Sequence, residues 1–331
     1  MMKKMNTFQA LVLDKVNDQT ELEVKELTMA DLPEGEVTIR VAYSSVNFKD
    51  GFVAFENSLV KSYPLVPGID LAGTIMDSTD DRFKTGDEVI VTSYELGTGR
   101  FGGFSEVARV PADWVVPLPK GLSLKEAMIL GTAGFTAALS VQRLEDNGLE
   151  PNQGPVLVAG ATGGVGSIAV NMLANRGYEV VASTGKAKET AYLKQLGAKQ
   201  IIDRHEVMDT EPTPMREEKW AGAIDPVGGE TLQYILSSLK YGGSVATSGF
   251  TGGLEVSTTV MPHILRGVNW IGIDSVECPM DKRLQVWNRL ADDLKPTLFD
   301  EIVNEVSLQE LQSVLANILE GKIRGRTIVK L

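Results

Sequence analysis

The sequence predicts an α/β protein of two domains, a small, partly open β-barrel and a doubly wound parallel sheet. Three features carry this expectation. Up to about residue 120 the chain is cut by Gly, Pro and Asp into short β-patterned runs. From about residue 155, strand-like and helix-like segments alternate at the spacing of βαβ units. A glycine-rich turn with Gly160, Gly163, Gly164 and Gly166 joins the first of those strands to the first of those helices. Length agrees, because 331 residues exceed one ordinary core and domains run to roughly 100–200 residues.

The elements follow in chain order. MMKKMNTFQALVLD has two lysines but neither an apolar run nor a small-residue cleavage site, so it reads as a lead into a first strand and not as a signal peptide. Strands are expected at Glu36–Tyr43, Leu71–Met76 and Asp87–Thr92. Near Ser123 the texture turns helical, with Ser123 as N-cap and Glu126 completing a capping box. Then come a strand at 155–160, a helix at Gly166–Asn175, a strand at 179–184 and a helix at Lys186–Leu196 stopped by Gly197. Strands at 199–203 and 220–225, a helix at Glu230–Leu239 and strands at 243–249 and Asn269–Ile273 complete the alternation. Two further helices, Lys282–Leu294 and Ser307–Glu320, precede a closing strand, GRTIVKL, expected to pair back with the first domain. The barrel domain would then be discontinuous, 1–124 with 276–331, around a dinucleotide-binding domain at 125–275.

Composition narrows the function. Hydrophobic residues at 43% and charged residues at 23% are those of a soluble globular chain. Net charge is 32 − 44 = −12, which argues against nucleic acid, whose binding rests on neutralising phosphates. No stretch approaches the ~18–20 apolar residues of a membrane span. A single cysteine, Cys278, allows no intrachain disulfide and suits a reducing cytoplasm. There is no internal repeat and no low-complexity tract.

The glycine turn has a chemical purpose. A pyrophosphate must approach backbone N–H groups closely, side chains would block it, and a helix N-terminus adds partial positive charge. The spacing departs from G-x-G-x-x-G, with Thr162 where the second glycine often stands. An NAD site places Asp or Glu at the tip of the second strand. Here that tip reads Ser183, Thr184, Gly185, Lys186, with Lys188 beyond and Arg204 just past the third strand. Hydroxyls, a backbone N–H and cations fit a 2′-phosphate, so NADP(H) is expected over NAD. The plain alternative is that Lys186, Lys188 and Arg204 are solvated surface charges.

At this point the chain resembles the medium-chain dehydrogenase/reductases, and within them the zinc-free branch of acrylyl-CoA reductases and quinone oxidoreductases. The matching runs are SSVNFKD (44–50), PLVPGIDLAGTI (64–75), KTGDEVIVT (84–92), FGGFSEVARV (101–110), GTAGFTA (131–137), the glycine turn, DPVGG (225–229), GGSVATSGF (242–250), TTVMPHILR (258–266), GIDSV (272–276) and GRTIVK (325–330). The resemblance implies a GroES-like barrel beside a Rossmann domain, an active site in the cleft and NADPH as hydride donor. It implies phosphate contacts at Thr162, Gly163, Gly164 and Val165, and 2′-phosphate contacts at Thr184, Gly185, Lys186 and Arg204. Phe250, Ile264 and Ser275 would fall nearer the nicotinamide. Phe48 stands where the branch has a cofactor-touching tyrosine, so a ring is kept and a hydroxyl lost. A polar Asn of the branch falls on Gly321 and is not carried over.

Zinc members of the family use a Cys early in the barrel, a His-Glu pair and a four-cysteine lobe. Those first two places read Val46-Asn47-Phe48 and Gly68-Ile69-Asp70 here, and with Cys278, His205 and His263 alone neither site can be built. Of the histidines, His263 has the better claim to lie near the nicotinamide. Without a Lewis acid, alcohol oxidation is disfavoured. Reduction of a C=C bond conjugated to a carbonyl needs only hydrogen-bond donors at the enolate. Acryloyl-CoA is the expected acceptor, quinones the alternative, and a redox sensor that binds NADPH with little turnover is the reading from another class. Asn47 is the candidate for placing nicotinamide or carbonyl, against a plain Asx turn. Tyr43, Tyr94 and Arg100 are weaker candidates, and Lys49 and Arg100 could meet acyl-CoA phosphates. The loop GTGRFGGFSE is expected to move. A homodimer or higher homo-oligomer is expected through the strand at Asn269–Ile273.

Overall fold

The computed structural model describes residues 6–17, 19–56, 59–208, 210–211 and 213–331. The first five residues of the expected lead-in therefore lie outside the described residues. The chain forms two compact units. One comprises the chain to Thr132 with Val276–Ala291 and Val303–Leu331, the other Ala133–Ser275 with Asp292–Ile302. The observed division falls at 132/133 where 124/125 was expected.

The first unit opens with an antiparallel hairpin, β1 (Thr7–Val16) and β2 (Gln19–Thr28). β3 (Val37–Val46), β4 (Asp70–Ser78), β5 (Glu88–Thr92), β6 (Val107–Val110) and β7 (Val116–Pro117) follow. Period-two alternation puts Val37, Ile39, Val41, Leu71, Ile75, Val89 and Val91 into one shared core. The loop expected to move is pinned instead: Gly102 N–H donates to Val66 O and Gly103 N–H to Gly68 O, each at 2.7 Å.

The second unit holds β8 (Val156–Val158), β9 (Val180–Thr184), β10 (Gln200–Asp203), β11 (Trp220–Asp225), β12 (Leu239–Thr247) and β13 (Asn269–Gly272). Every neighbouring pair is parallel, in the order β10-β9-β8-β11-β12-β13. This is the Rossmann order, and it reverses between β8 and β11, where ligands of such sheets bind beyond the strands' C-terminal ends. β8, β9 and β11 are buried throughout, as strands covered on both faces must be. β13 is one of the sheet's two outer strands, with Trp270 exposed on it.

Differences from the expected elements have local causes. The helix expected at Lys186–Leu196 is a 3-10 turn, Ala187–Glu189, followed by an α-helix, Thr190–Gln195. The helix expected at Lys282–Leu294 is Met280–Leu290, because the chain beyond it docks on the second unit. There Thr297 N–H donates to Asn171 Oδ1 at 2.9 Å and Arg176 meets Asp293 at 2.8 Å. A further strand, β14 (Val303–Val306), was not expected; four residues, VNEV, are too few to show a period. β15 (Arg326–Lys330) pairs antiparallel with β3, as the closing strand was expected to, and parallel with β14.

Among the described residues one helix, Leu124–Asp146, is by length and composition apolar enough to span a membrane, where no such stretch was expected. Its most apolar window is 78% buried within the protein, and Gly131 breaks it with φ 51° and ψ −154°. Its start carries the expected capping box: Glu126 N–H donates to Ser123 Oγ, and Ser123 N–H to Glu126 Oε2.

Candidate functional site

In the second unit the candidate residues collect at the C-terminal ends of β8, β9 and β10. Gly160 takes a left-handed φ of 57°, and Gly163 N–H donates back to Gly160 O at 2.9 Å. Gly163 is the N-cap of the helix Gly164–Asn175. A Cβ on Gly166 would lie 2.4 Å from Gly160 O, so the turn closes onto the helix only with glycine there. Gly164 and Val165 open the helix, where the first turn's N–H groups have no intrahelical acceptor. The result is a backbone cradle at the positive end of a helix dipole, which fits a pyrophosphate.

Thr162 and Thr184, both buried, bring their hydroxyls within 3.2 Å and tie this turn to the tip of β9. Thr184 Oγ1 also accepts from Lys186 N–H at 3.0 Å. Burial pushes the Lys186 ammonium pKa down from its ordinary value, with Glu189 opposing and Lys188 adding to the shift. The β9–β10 register sets Thr184 opposite Asp203, so Arg204 emerges beside Gly185. A Cβ on Gly185 would meet Arg204 Cδ and Nε at 2.8 Å, which places the arginine stem across the glycine. Thr184, Gly185, Lys186 and Arg204, distant in sequence, are thus brought together. The tip of β9 carries no carboxylate.

Beyond β12, Phe250 and Ile264 are exposed, and Ser275 is buried. His263 Nδ1 donates to Val268 O at 2.8 Å, so one ring nitrogen serves its own turn. Sequence reasoning quoted Asp225 only within DPVGG. It is fully buried at the end of β11, accepts from Val227 and Gly228 N–H, and burial raises its pKa to about 6. It holds the loop whose Val227 packs against Gly160.

In the first unit Asn47 joins a buried polar network. Its Nδ2 donates to Asp70 Oδ2 at 2.8 Å and weakly to Ser45 O at 3.5 Å, while its Oδ1 accepts from Arg326 at 3.2 Å. Both ends of the amide are engaged within the unit. Asp70 also accepts from Ser45 Oγ (2.6 Å), Thr132 N–H (2.9 Å) and Thr132 Oγ1 (2.5 Å), and Ser93 Oγ lies 3.0 Å from Thr132 Oγ1. The guanidinium of Arg326 is itself buried and donates to Ile129 O, Val46 O and Ser45 Oγ. The helix break at Gly131 serves this network, because a Cβ there would lie 2.5 Å from both Asp70 Oδ2 and Ser45 Oγ. Phe48 follows Asn47, half-buried, in edge contact with Phe52 at 5.0 Å. Tyr94 stacks on Trp114 and reaches Cys278 O at 3.5 Å, and Arg100 donates to Glu34 O at 2.7 Å. Among the described residues no group of three or more His, Cys, Asp or Glu is placed to hold a metal.

Asp50 accepts from Asn47 N–H at 2.7 Å and Ile69 N–H at 3.0 Å. Burial first, then the charge of Asp70, raise its pKa to about 7. The folded state therefore holds this proton where the unfolded chain, titrating near pH ~4, releases it. The stabilisation is complete below that pH and is lost as pH rises through about 7. Asp225 adds a similar loss through about 6. The melting temperature of the wild type is expected to fall between about pH 4 and 7, and Asp50→Asn, though less stable at low pH, to flatten that fall. An unchanged slope in the variant would contradict the assignment.

Comparison with known proteins adds to this geometry. Residues 33–120 match the family described as alcohol dehydrogenase GroES-like domain, and residues 164–292 the one described as zinc-binding dehydrogenase. The YhfP protein of Bacillus subtilis, provisionally named a quinone oxidoreductase, is 57% identical over 98% of this chain and 99% of its own. Its crystal structure, with NAD bound, superposes with a TM-score of 0.96 over 98% of this chain and 99% of that one. The acrylyl-CoA reductase AcuI of Ruegeria pomeroyi is 49% identical over 97% of this chain and 98% of its own. The yhdH oxidoreductase of Salmonella enterica, solved in complex with NADP, is 43% identical with a TM-score of 0.95, over 98% of this chain and 99% of that one.

Proposed function

The chain belongs to the medium-chain dehydrogenase/reductase family, and on that premise we propose that it is an NADPH-dependent reductase of activated C=C bonds that converts acryloyl-CoA to propionyl-CoA. The observation that carries the cofactor choice is Arg204 lying across Gly185, next to Lys186, at a β9 tip without an acid. The NAD in the Bacillus subtilis relative is the competing indication. An NAD site uses a carboxylate on the ribose hydroxyls. The acid opposite the tip of β9, Asp203, is bonded to His205.

What the dinucleotide supplies when bound is a hydride, which on an enoyl thioester adds at the β-carbon and leaves the α-carbon to be protonated. Gly164 and Val165 receive the pyrophosphate on backbone N–H groups, Gly163, its own N–H turned to Gly160 O, gives the close approach, and Thr162 holds that turn to β9 through Thr184. Lys186 and Arg204 pair with the 2′-phosphate. Phe250, Ile264 and Ser275 flank the nicotinamide in this reading. Asn47, tied to Asp70 and Arg326, fixes the backbone from which Phe48 projects. Its role is positioning. Zinc has no place in this reading, because the family's Cys place and His-Glu pair fall on Asn47 and on Ile69-Asp70, and Asn47 and Asp70 are spent on the Arg326 network. The small-molecule acceptor and the single buried cysteine fit a cytoplasmic enzyme.

Steady-state loss of NADPH absorbance tests the acceptor. Acryloyl-CoA is expected to be turned over faster than any member of a small quinone panel. Turnover of quinones alone would favour the second reading, which the name of the Bacillus subtilis relative supports. Tight binding without turnover would mark a redox sensor.

A further inference from the structure

Arg204 owes its place to a one-turn 3-10 segment, Arg204–Val207, that begins where β10 ends. Asp203 caps that turn. Its Oδ1 accepts from His205 N–H at 2.9 Å and faces His205 Nδ1 at 2.6 Å, while Glu206 Oε1 reaches back to Asp203 N–H at 2.9 Å. These bonds commit an acid that could have faced a ribose to the turn that follows it, with the carboxylate still exposed. The other half of the seat is Gly185. Its φ lies outside the left-handed region, so the backbone there would accept a side chain. A side chain there would displace Arg204, whose Cδ and Nε would stand 2.8 Å from the added Cβ.

We propose that Asp203 and Gly185 are positioning residues that set the preference for NADPH over NADH, the first by capping the turn that carries Arg204 and the second by leaving room for its stem. The inference rests on the NADPH reading above. It makes selectivity depend on a seat as well as on a cation. It also separates two roles of Asp203 with opposite signs. As a bare negative charge it would repel a 2′-phosphate, and its removal would tighten NADPH. As a cap it holds Arg204 in place, and its removal loosens NADPH.

The test is a titration of nicotinamide fluorescence with NADPH and NADH on the wild type, Asp203→Ala, Asp203→Asn and Gly185→Ala, with adenosine 2′,5′-bisphosphate as a competing probe of the phosphate locus. Asp203→Ala and Gly185→Ala are expected to lose roughly tenfold in NADPH and bisphosphate affinity. NADH affinity should stay unchanged, which also reports an intact fold. Asp203→Asn keeps a good capping acceptor and is expected to stay within about twofold of the wild type or to bind tighter. NADPH binding by Asp203→Ala as tight as the wild type's, or undiminished binding by Gly185→Ala, would overturn the proposal while leaving the cofactor reading intact. A wild type indifferent to the 2′-phosphate would overturn both.

Discussion

Replacing either Lys186 or Arg204 with alanine is expected to weaken NADPH by roughly ten- to over a hundredfold and to leave NADH nearly unchanged, since a charged contact to phosphate is worth about 1.5–3 kcal/mol. The two cations do different things. Arg204 is exposed and presents a planar fork suited to two phosphate oxygens. Lys186 is a point charge, half-buried, whose ammonium form burial already disfavours. A phosphate dianion alongside favours the charged form, and at a pH high enough to neutralise that lysine the wild type itself loses the contact, so the NADPH loss of Lys186→Ala should be smaller at high pH than at neutral pH, while that of Arg204→Ala should not shrink. Binding isotherms for both cofactors check this. Equal losses for NADPH and NADH would mean that neither residue reads the 2′-phosphate.

Arg326→Leu should cost about 3–5 kcal/mol of unfolding free energy, the range for removing one partner of a buried charge pair. The guanidinium is 2% exposed and serves three backbone and side-chain oxygens besides Asn47. Its ion-pair distance to Asp70 is long, 3.9 Å, but Asp70 and Asp50 have no other cation among the contacts described. Burial lowers the Arg326 pKa while both aspartates raise it, so the three groups form one electrostatic unit. Arg326→Lys keeps the charge without the fork and should recover only part of the loss. Urea unfolding at pH 7 is the measurement. A loss under about 1 kcal/mol would show that the network is no more than a satisfied polar patch.

Much of this was legible in the sequence because it is local. A strand, a glycine turn and a helix are contiguous, and the turn is recognisable because Gly166 must pass Gly160 O closely. The absent acid after β9 is likewise a matter of a few adjacent letters. Arg204 could be named from its place after β10, but only the β9–β10 register shows that it lands on Gly185. The network in the first unit was missed for the opposite reason. Ser45, Asp70, Thr132 and Arg326 are up to 281 residues apart, and each alone resembles an ordinary polar residue at a strand or helix end. Two signals were available: an arginine inside the apolar strand RTIVK, and a glycine within a helical run at 131. Asn47 was read as a possible contact for nicotinamide or carbonyl, and its two engaged amide ends show how a polar residue beside a site can serve the scaffold. The excursion at 292–302 and the strand Val303–Val306 depend on tertiary docking, which four- to eleven-residue patterns do not encode.

The most direct test of the central claim is single-turnover reduction of acryloyl-CoA with NADPH carrying deuterium at the transferable C4 position, followed by mass analysis of the thioester. The account predicts propionyl-CoA with one deuterium on C3 and a solvent-derived hydrogen on C2. Unlabelled product, label at C2, or no product while NADPH remains bound would contradict it.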